Sequence, residues 1–273
     1  MNNKEAIFLE TSLQILRHFH HPDIRAKAQQ IINNFPMKLS STYVRMEYFY
    51  SIIQDLVYLY DLSKRLTNIG EIHYRIEKLP NIQRRKLNRT LECLATFFYD
   101  AGTDTSDISI KLQSWLRQTI DDAFDCFNES VDFIYDETGC AKARMPLQKN
   151  GDTYLPFGRC KVANKQCKID EFFQNHLQEF HSLFEALQKM PQQEKDEELI
   201  RMEKILERAI KYPQNMLDYQ NCRKCGDTII SIECPSKAIL FTLNTEHYKI
   251  INSVIGRRLI EPSAELKKID GPM

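Results

Sequence analysis

Cys222-Arg223-Lys224-Cys225-Gly226-Asp227-Thr228-Ile229-Ile230 sets a lone aspartate at the start of a short apolar helix. The strand-like run Ala238-Ile239-Leu240-Phe241-Thr242 follows and leads into Asn244-Thr245-Glu246-His247-Tyr248. An acid at a helix start, with a polar cluster at the end of the next strand, supplies part of a metal site. The other ligands must come from distant parts of the chain.

The chain has 273 residues, 42% of them hydrophobic and 27% charged, enough to bury a core and too apolar for a disordered segment. Lys plus Arg and Asp plus Glu are equal at 37 each, so overall charge neither favours nor excludes nucleic acid. No uncharged apolar run is long enough to cross a membrane. The N-terminus lacks the apolar stretch of a secretory signal. Eight cysteines in a chain of this length are too sparse for a disulfide scaffold and read as reduced thiols or metal ligands. These features predict a cytoplasmic protein with no membrane partner.

Working outward, Ala6-Ile7-Phe8-Leu9 suits a buried strand. It ends at Glu10-Thr11-Ser12, where Thr11 or Ser12 is the expected cap of a helix over 13–19. A helix over 23–33 and a strand over 37–40 follow, and Ser41 or Thr42 is placed to cap a long helix. That helix carries Met46, Phe49, Ile53, Leu56 and Tyr60 at spacings of three and four. Glu47 sits beside this stripe, either turned inward or as a surface acid favoured by the helix dipole. Helical periodicity then dominates to about residue 212, strongest over 86–99, 108–135, 169–190 and 193–211. Strand–helix alternation returns after Pro213. The predicted class is α/β: a small parallel sheet flanked by helices and built from both chain ends, residues 1–60 and 213–263. A mainly helical insertion, 61–212, lies between them.

Within the insertion, Gly139 to Lys168 reads as a long irregular loop, since it holds Gly151, Gly158, Pro146 and Pro156. It is basic: Lys142, Arg144, Arg159, Lys161 and Lys165 are candidate phosphate contacts, as are Lys149, Lys168 and the run Arg84, Arg85, Lys86 and Arg89. A plain solvated surface is the competing reading. Cys222-x₂-Cys225 has the spacing of half a zinc site, and Cys140, Cys160 and Cys167 lie in the loop. Four of these five thiols could hold a structural Zn²⁺; otherwise they pack as small apolar side chains. Cys93, Cys126 and Cys234 read as core. None of the histidines, His247 near the site included, is assigned as a ligand.

Glu10, Glu47 and Asp227 thus fall at strand ends or helix starts. Carboxylates gathered there repel unless a hard divalent cation neutralises them. At this point the sequence resembles the PIN-domain family of metal-dependent nucleases. Four segments carry the resemblance, in the family's order: Ile7-Phe8-Leu9-Glu10-Thr11-Ser12, Ser41-Thr42-Tyr43-Val44-Arg45-Met46-Glu47, Gly226-Asp227-Thr228-Ile229-Ile230 and Thr242-Leu243-Asn244-Thr245-Glu246-His247-Tyr248. It covers roughly the first and last 60 residues. The chain departs from the pattern where Glu10 replaces an aspartate and Asn244 supplies a neutral oxygen.

The resemblance implies Mg²⁺ or Mn²⁺ held by Glu47 and Asp227, with Glu10 as the third ligand and Asn244 and Ser12 orienting water or a ligand. It implies hydrolysis of RNA, single-stranded rather than duplex, with DNA as a further substrate and a protein that inhibits or recruits the enzyme as a partner. The alternative is a catalytically degraded PIN-like module that binds nucleic acid or protein.

Overall fold

The computed structural model describes residues 5–66, 68–80, 84–102, 107–143, 146–155, 167–215, 219–262 and 266. Strand β1 (Ala6–Leu9) leads into α1 (Thr11–His18) and α2 (Pro22–Asn33), and β2 (Met37–Ser41) into α3 (Thr42–Tyr48). A π-helical turn over Phe49–Ile53 joins α3 to α4 (Gln54–Arg65). Next come α5 (Ile69–Glu77), α6 (Arg84–Ala101), α7 (Ile108–Glu129), β3 (Phe133–Tyr135) and a two-strand ribbon of β4 (Lys149–Asn150) and β5 (Thr153–Tyr154). The chain continues through α8 (Ile169–Asn175), α9 (Leu177–Lys189), α10 (Glu197–Lys211), α11 (Tyr219–Lys224) and α12 (Gly226–Glu233). It closes with β6 (Ala238–Phe241), α13 (Thr245–Ile255) and β7 (Arg258–Ile260).

Five strands form one parallel sheet in the order β3-β2-β1-β6-β7, flanked by helices, as the α/β reading expects. Successive strand side chains alternate between its two faces. Phe8 and Leu240 enter the large apolar cluster shared with α3, α12, α13 and the helical middle. Ile7, Leu9 and Phe241 enter a smaller one with α1 and α2. Fully burying each of these side chains contributes about 1.5–3 kcal/mol. From β1 the chain moves to β2 on one side, and from β6 to β7 on the other. The order therefore reverses between β1 and β6, where open parallel sheets leave a crevice at the carboxyl ends of their strands.

Three expectations are corrected. The helix expected over 108–135 stops at Glu129, and Phe133–Tyr135 is an edge strand paired with β2. Two bonds at Asp132 lock its entry: its N–H donates to Lys38 O (2.7 Å) and its Oδ2 accepts from Lys38 N (2.7 Å). The sheet therefore takes one strand from inside the stretch read as a helical insertion. The helix over 169–190 is two, broken at His176, whose backbone leaves helical geometry. The cap of α1 is Glu10, not Thr11 or Ser12; its side chain accepts the Ser12 N–H. Ser41 caps α3 as expected by accepting from Val44 N (3.1 Å), an interaction worth about 1 kcal/mol.

Candidate active site

The crevice between β1 and β6 gathers the three predicted acids. Glu10 follows β1 and is 6% exposed. Its Oε2 accepts from Ser12 N (2.9 Å), the Ser12 hydroxyl and the Thr242 hydroxyl (3.0 Å). Ser12 Oγ in turn accepts from Leu243 N (3.0 Å), so this serine staples the ends of β1 and β6 together. Burial, then the nearby charge of Asp227, pushes Glu10 up to about 7 against the pull of these hydrogen bonds.

Glu47 projects from α3, one step before the π-helical turn, where Ser51 Oγ donates to the Glu47 carbonyl (2.7 Å). Its Oε2 accepts from Thr11 Oγ1 (2.9 Å). Its Oε1 lies over Gly226, where an added Cβ would stand 2.6 Å from it and 3.2 Å from the Tyr43 hydroxyl. Real contacts essentially never reach the first of these distances, so the absence of a side chain at Gly226 makes the seat for this carboxylate. Burial raises Glu47 to about 8, with Asp227 and Glu10 adding to the shift. That mutual repulsion is the electrostatic signature of one cluster.

Asp227 is the second residue of α12 and its side chain is 26% exposed. Its Oδ2 accepts from Asn244 Nδ2 (3.3 Å) and lies 3.7 Å from His247 Nδ1. The Asn244 N–H donates to the Thr242 hydroxyl (3.0 Å), which fixes the turn out of β6. Glu246, the nearby acid, points to solvent.

Two further residues belong to the site without having been assigned a role in it. His247 is held between the core and the helical middle: Nε2 meets Asp196 Oδ2 at 2.6 Å, and Nδ1 lies 3.5 Å from Glu198. Its contact with Asp227, then that with Asp196, raises its pKa to about 9 despite partial burial, so it carries positive charge at neutral pH. Its partners lie some fifty residues away, out of reach of any local motif. Tyr248 is fully buried with its hydroxyl beside Asp227, and the charges of Asp227, Glu10 and Glu47 add to the burial that pushes it well above its ordinary range. In sequence it is indistinguishable from a core aromatic.

The donors at this crevice are carboxylate oxygens supported by hydroxyls, the chemistry that suits a hard cation such as Mg²⁺ or Mn²⁺. Tyr248 adds a buried hydroxyl beside Asp227. Among the described residues, no three carboxylate, imidazole or thiol groups stand close enough to share an ion. The site is gathered without being drawn tight.

A separate buried acid needs its own account. Glu233, at the end of α12, is 1% exposed and lies against the Ser41 hydroxyl and the Thr138 backbone, whose pull offsets only part of its burial. Burial raises it to about 8. A raised carboxyl contributes stability that is present in full below its unfolded pKa and is lost as the pH climbs through the folded one. Glu233→Gln is therefore expected to gain on wild type by on the order of 2 kcal/mol between pH 5 and pH 9. Thermal unfolding at the two pH values checks this; an equal difference at both would refute it.

The expected nucleic-acid contacts fare unevenly. Lys142 rests over the Tyr50 ring, 4.6 Å from its centroid, and touches its hydroxyl. Lys149 pairs with Asp121, and Arg89 is tied to buried Asp55 at 2.7 Å. Lys86 lies 3.8 Å from the Tyr58 ring centroid. Arg144, Arg159, Lys161 and Lys165 lie outside the described residues, as does Cys160. Among the other cysteines, Cys93 and Cys234 are core as expected, while Cys126 is only half-buried. Cys225 is fully buried, and Cys222 instead faces Cys140 and Cys167.

No helix among the described residues is long and apolar enough to cross a membrane. Comparison with family models, with curated proteins and with solved structures finds no match to this chain.

Proposed function

We propose that the protein is a PIN-like, Mg²⁺- or Mn²⁺-dependent endoribonuclease acting on single-stranded RNA in the cytoplasm. The observation that carries this is the meeting of Glu10, Glu47 and Asp227, from three remote segments, in the crevice where the strand order of a parallel sheet reverses. When bound, a divalent ion there would activate water and neutralise charge on the scissile phosphate. On this reading Glu47 and Asp227 would hold the ion, with Glu10 as the third ligand from a more fully hydrogen-bonded seat. Thr11 and Asn244 orient Glu47 and Asp227 by donating to them. His247 holds a positive charge beside Asp227, where a phosphate oxygen would arrive. DNA is a second substrate to test, and a protein that covers the crevice would inhibit the enzyme.

A second reading has its own support: Glu10 Oε2 already accepts three hydrogen bonds, as a purely structural cap would. On that reading the chain binds nucleic acid or protein without cleaving. Incubation of fluorescent single-stranded RNA and DNA with Mn²⁺, or with Mn²⁺ plus chelator, separates the two. Metal-dependent cleavage of RNA is expected, whereas RNA binding with no cleavage in Mn²⁺ would establish the second reading.

A further inference from the structure

Between Arg117 and Lys142 the sequence holds seven acids and no lysine or arginine. This segment runs through α7 into β3, at one edge of the sheet. Helix α7 turns Leu116, Ile120, Ala123 and Phe127 into the core, so Asp122, Asp125 and Glu129 fall on its solvent side. None of these three acids is in an ion pair among the described residues. Asp132, exposed at the entry to β3, spends its carboxylate on a backbone N–H and not on a cation.

Strand β3 ends the sheet on its side, so its outer backbone edge has no ladder partner among the described residues. The register of Leu39 with Phe133 places Met37, Phe133 and Tyr135 on one face. Leu39 is buried there, whereas Met37 and Phe133 are 49% and 54% exposed. The Phe133 and Tyr135 rings meet edge to face with centroids 4.8 Å apart. Asp132 and Asp136, two positions to either side of Ile134, fall on the other face by strand alternation. The opposite edge of the sheet is guarded: Arg258 of β7 engages Glu5 and the Lys237 carbonyl, and Pro262 follows the strand. Strand β3 holds neither a proline nor a cation.

We propose that the β3 edge receives an extended segment of a partner protein as a sixth strand, one in which apolar residues alternate with lysine or arginine. Charge selects this occupant. RNA would bring its phosphates against a row of acids. A second copy, paired β3 to β3 about a two-fold axis through Ile134, would run antiparallel and set Asp132 of each copy against Asp136 of the other. A basic strand meets neither obstacle. Its apolar side chains cover Met37, Phe133 and Tyr135, its cations face Asp132 and Asp136, and its backbone completes the ladder. The acids of α7 extend the attractive field along the approach. Strands β2 and β1 separate this edge from the carboxylate crevice, and the proposal does not depend on the nuclease reading.

Fluorescence anisotropy with the full chain tests it, using a labelled, acetylated peptide of about eight residues that alternates valine and lysine. Its fully N-methylated form keeps the charge and cannot donate to a ladder. Saturable binding of the first peptide at one site is expected, with the N-methylated form weaker by about tenfold or more. Phe133→Lys, and Asp125→Lys combined with Glu129→Lys, should each weaken binding by a similar factor. These variants alter exposed side chains, so each is expected to melt with wild type; the N-methylated peptide, read on wild type, needs no variant to fold. Absence of saturable binding to wild type overturns the proposal. Equal binding of the two peptides, or undiminished binding to Phe133→Lys, reduces the effect to unspecific charge attraction and overturns strand addition. Wild type that self-associates without peptide, and is monomeric as Phe133→Lys, would assign the edge to a second copy instead.

Discussion

Asp227→Asn is expected to lower Mn²⁺-dependent RNA cleavage by roughly a thousandfold or more, about 4 kcal/mol of transition-state stabilisation, and Glu47→Gln to do the same. Both changes keep the side-chain shape and remove a negative oxygen donor. Neither should unfold the chain, since Asp227→Asn removes the charge that raises both Glu10 and Glu47, and Glu47→Gln removes a buried carboxyl that its neighbours repel. The melting temperature is expected to stay within a few degrees of wild type or to rise, the pattern of a site kept for activity at the expense of stability. Cleavage rates and thermal unfolding of the same preparations are the measurements. Activity retained within about tenfold in either variant would remove that carboxylate from the chemistry.

The second large effect comes from a residue with no side chain. Gly226 has ordinary backbone geometry, so alanine is accommodated by α12 and even favoured by helix propensity, by about 1 kcal/mol. Its methyl group would nevertheless stand 2.6 Å from Glu47 Oε1, and that carboxylate must move. A displacement of this order at a reacting centre costs about a hundredfold in rate. Gly226→Ala is therefore expected to lose activity by that amount with little change in stability. Added to Glu47→Gln it should cost almost nothing more, because the two act on one group. Full additivity in the double variant would show that the glycine serves another purpose.

Much of the sheet was legible because its strands are apolar runs ended by polar clusters: Ala6–Leu9, Met37–Ser41 and Ala238–Phe241 each fall within a residue or so of expectation. Glu10 and Asp227 stood out as candidates because their places at a strand end and a helix start follow from local pattern, whereas Glu47, near the end of α3, was singled out through the family resemblance. What escaped depends on contacts between distant segments. Strand β3 is three residues long, too short for alternation to show, and exists because the β2 edge offers it partners. Glu10 caps α1 although Thr11 and Ser12 are the commoner capping residues, because Ser12 is engaged by Leu243 N across the crevice. The charge on His247 is set first by Asp227 and then by Asp196, the cap of α10, and Tyr248 matters for the carboxylates whose charge it feels.

Mn²⁺ uptake by the chain, followed through the electron paramagnetic resonance signal of the unbound ion, tests the carboxylate site most directly. Protons compete with metal at Glu10 and Glu47, both raised by burial and by their neighbours, so binding should tighten from pH 6 to pH 8. Expected is a saturable Mn²⁺ site in wild type, stronger at pH 8, and lost in Asp227→Asn and Glu47→Gln. Equal uptake by wild type and both variants at pH 8, or none by any of them, would contradict a metal centre built from these acids.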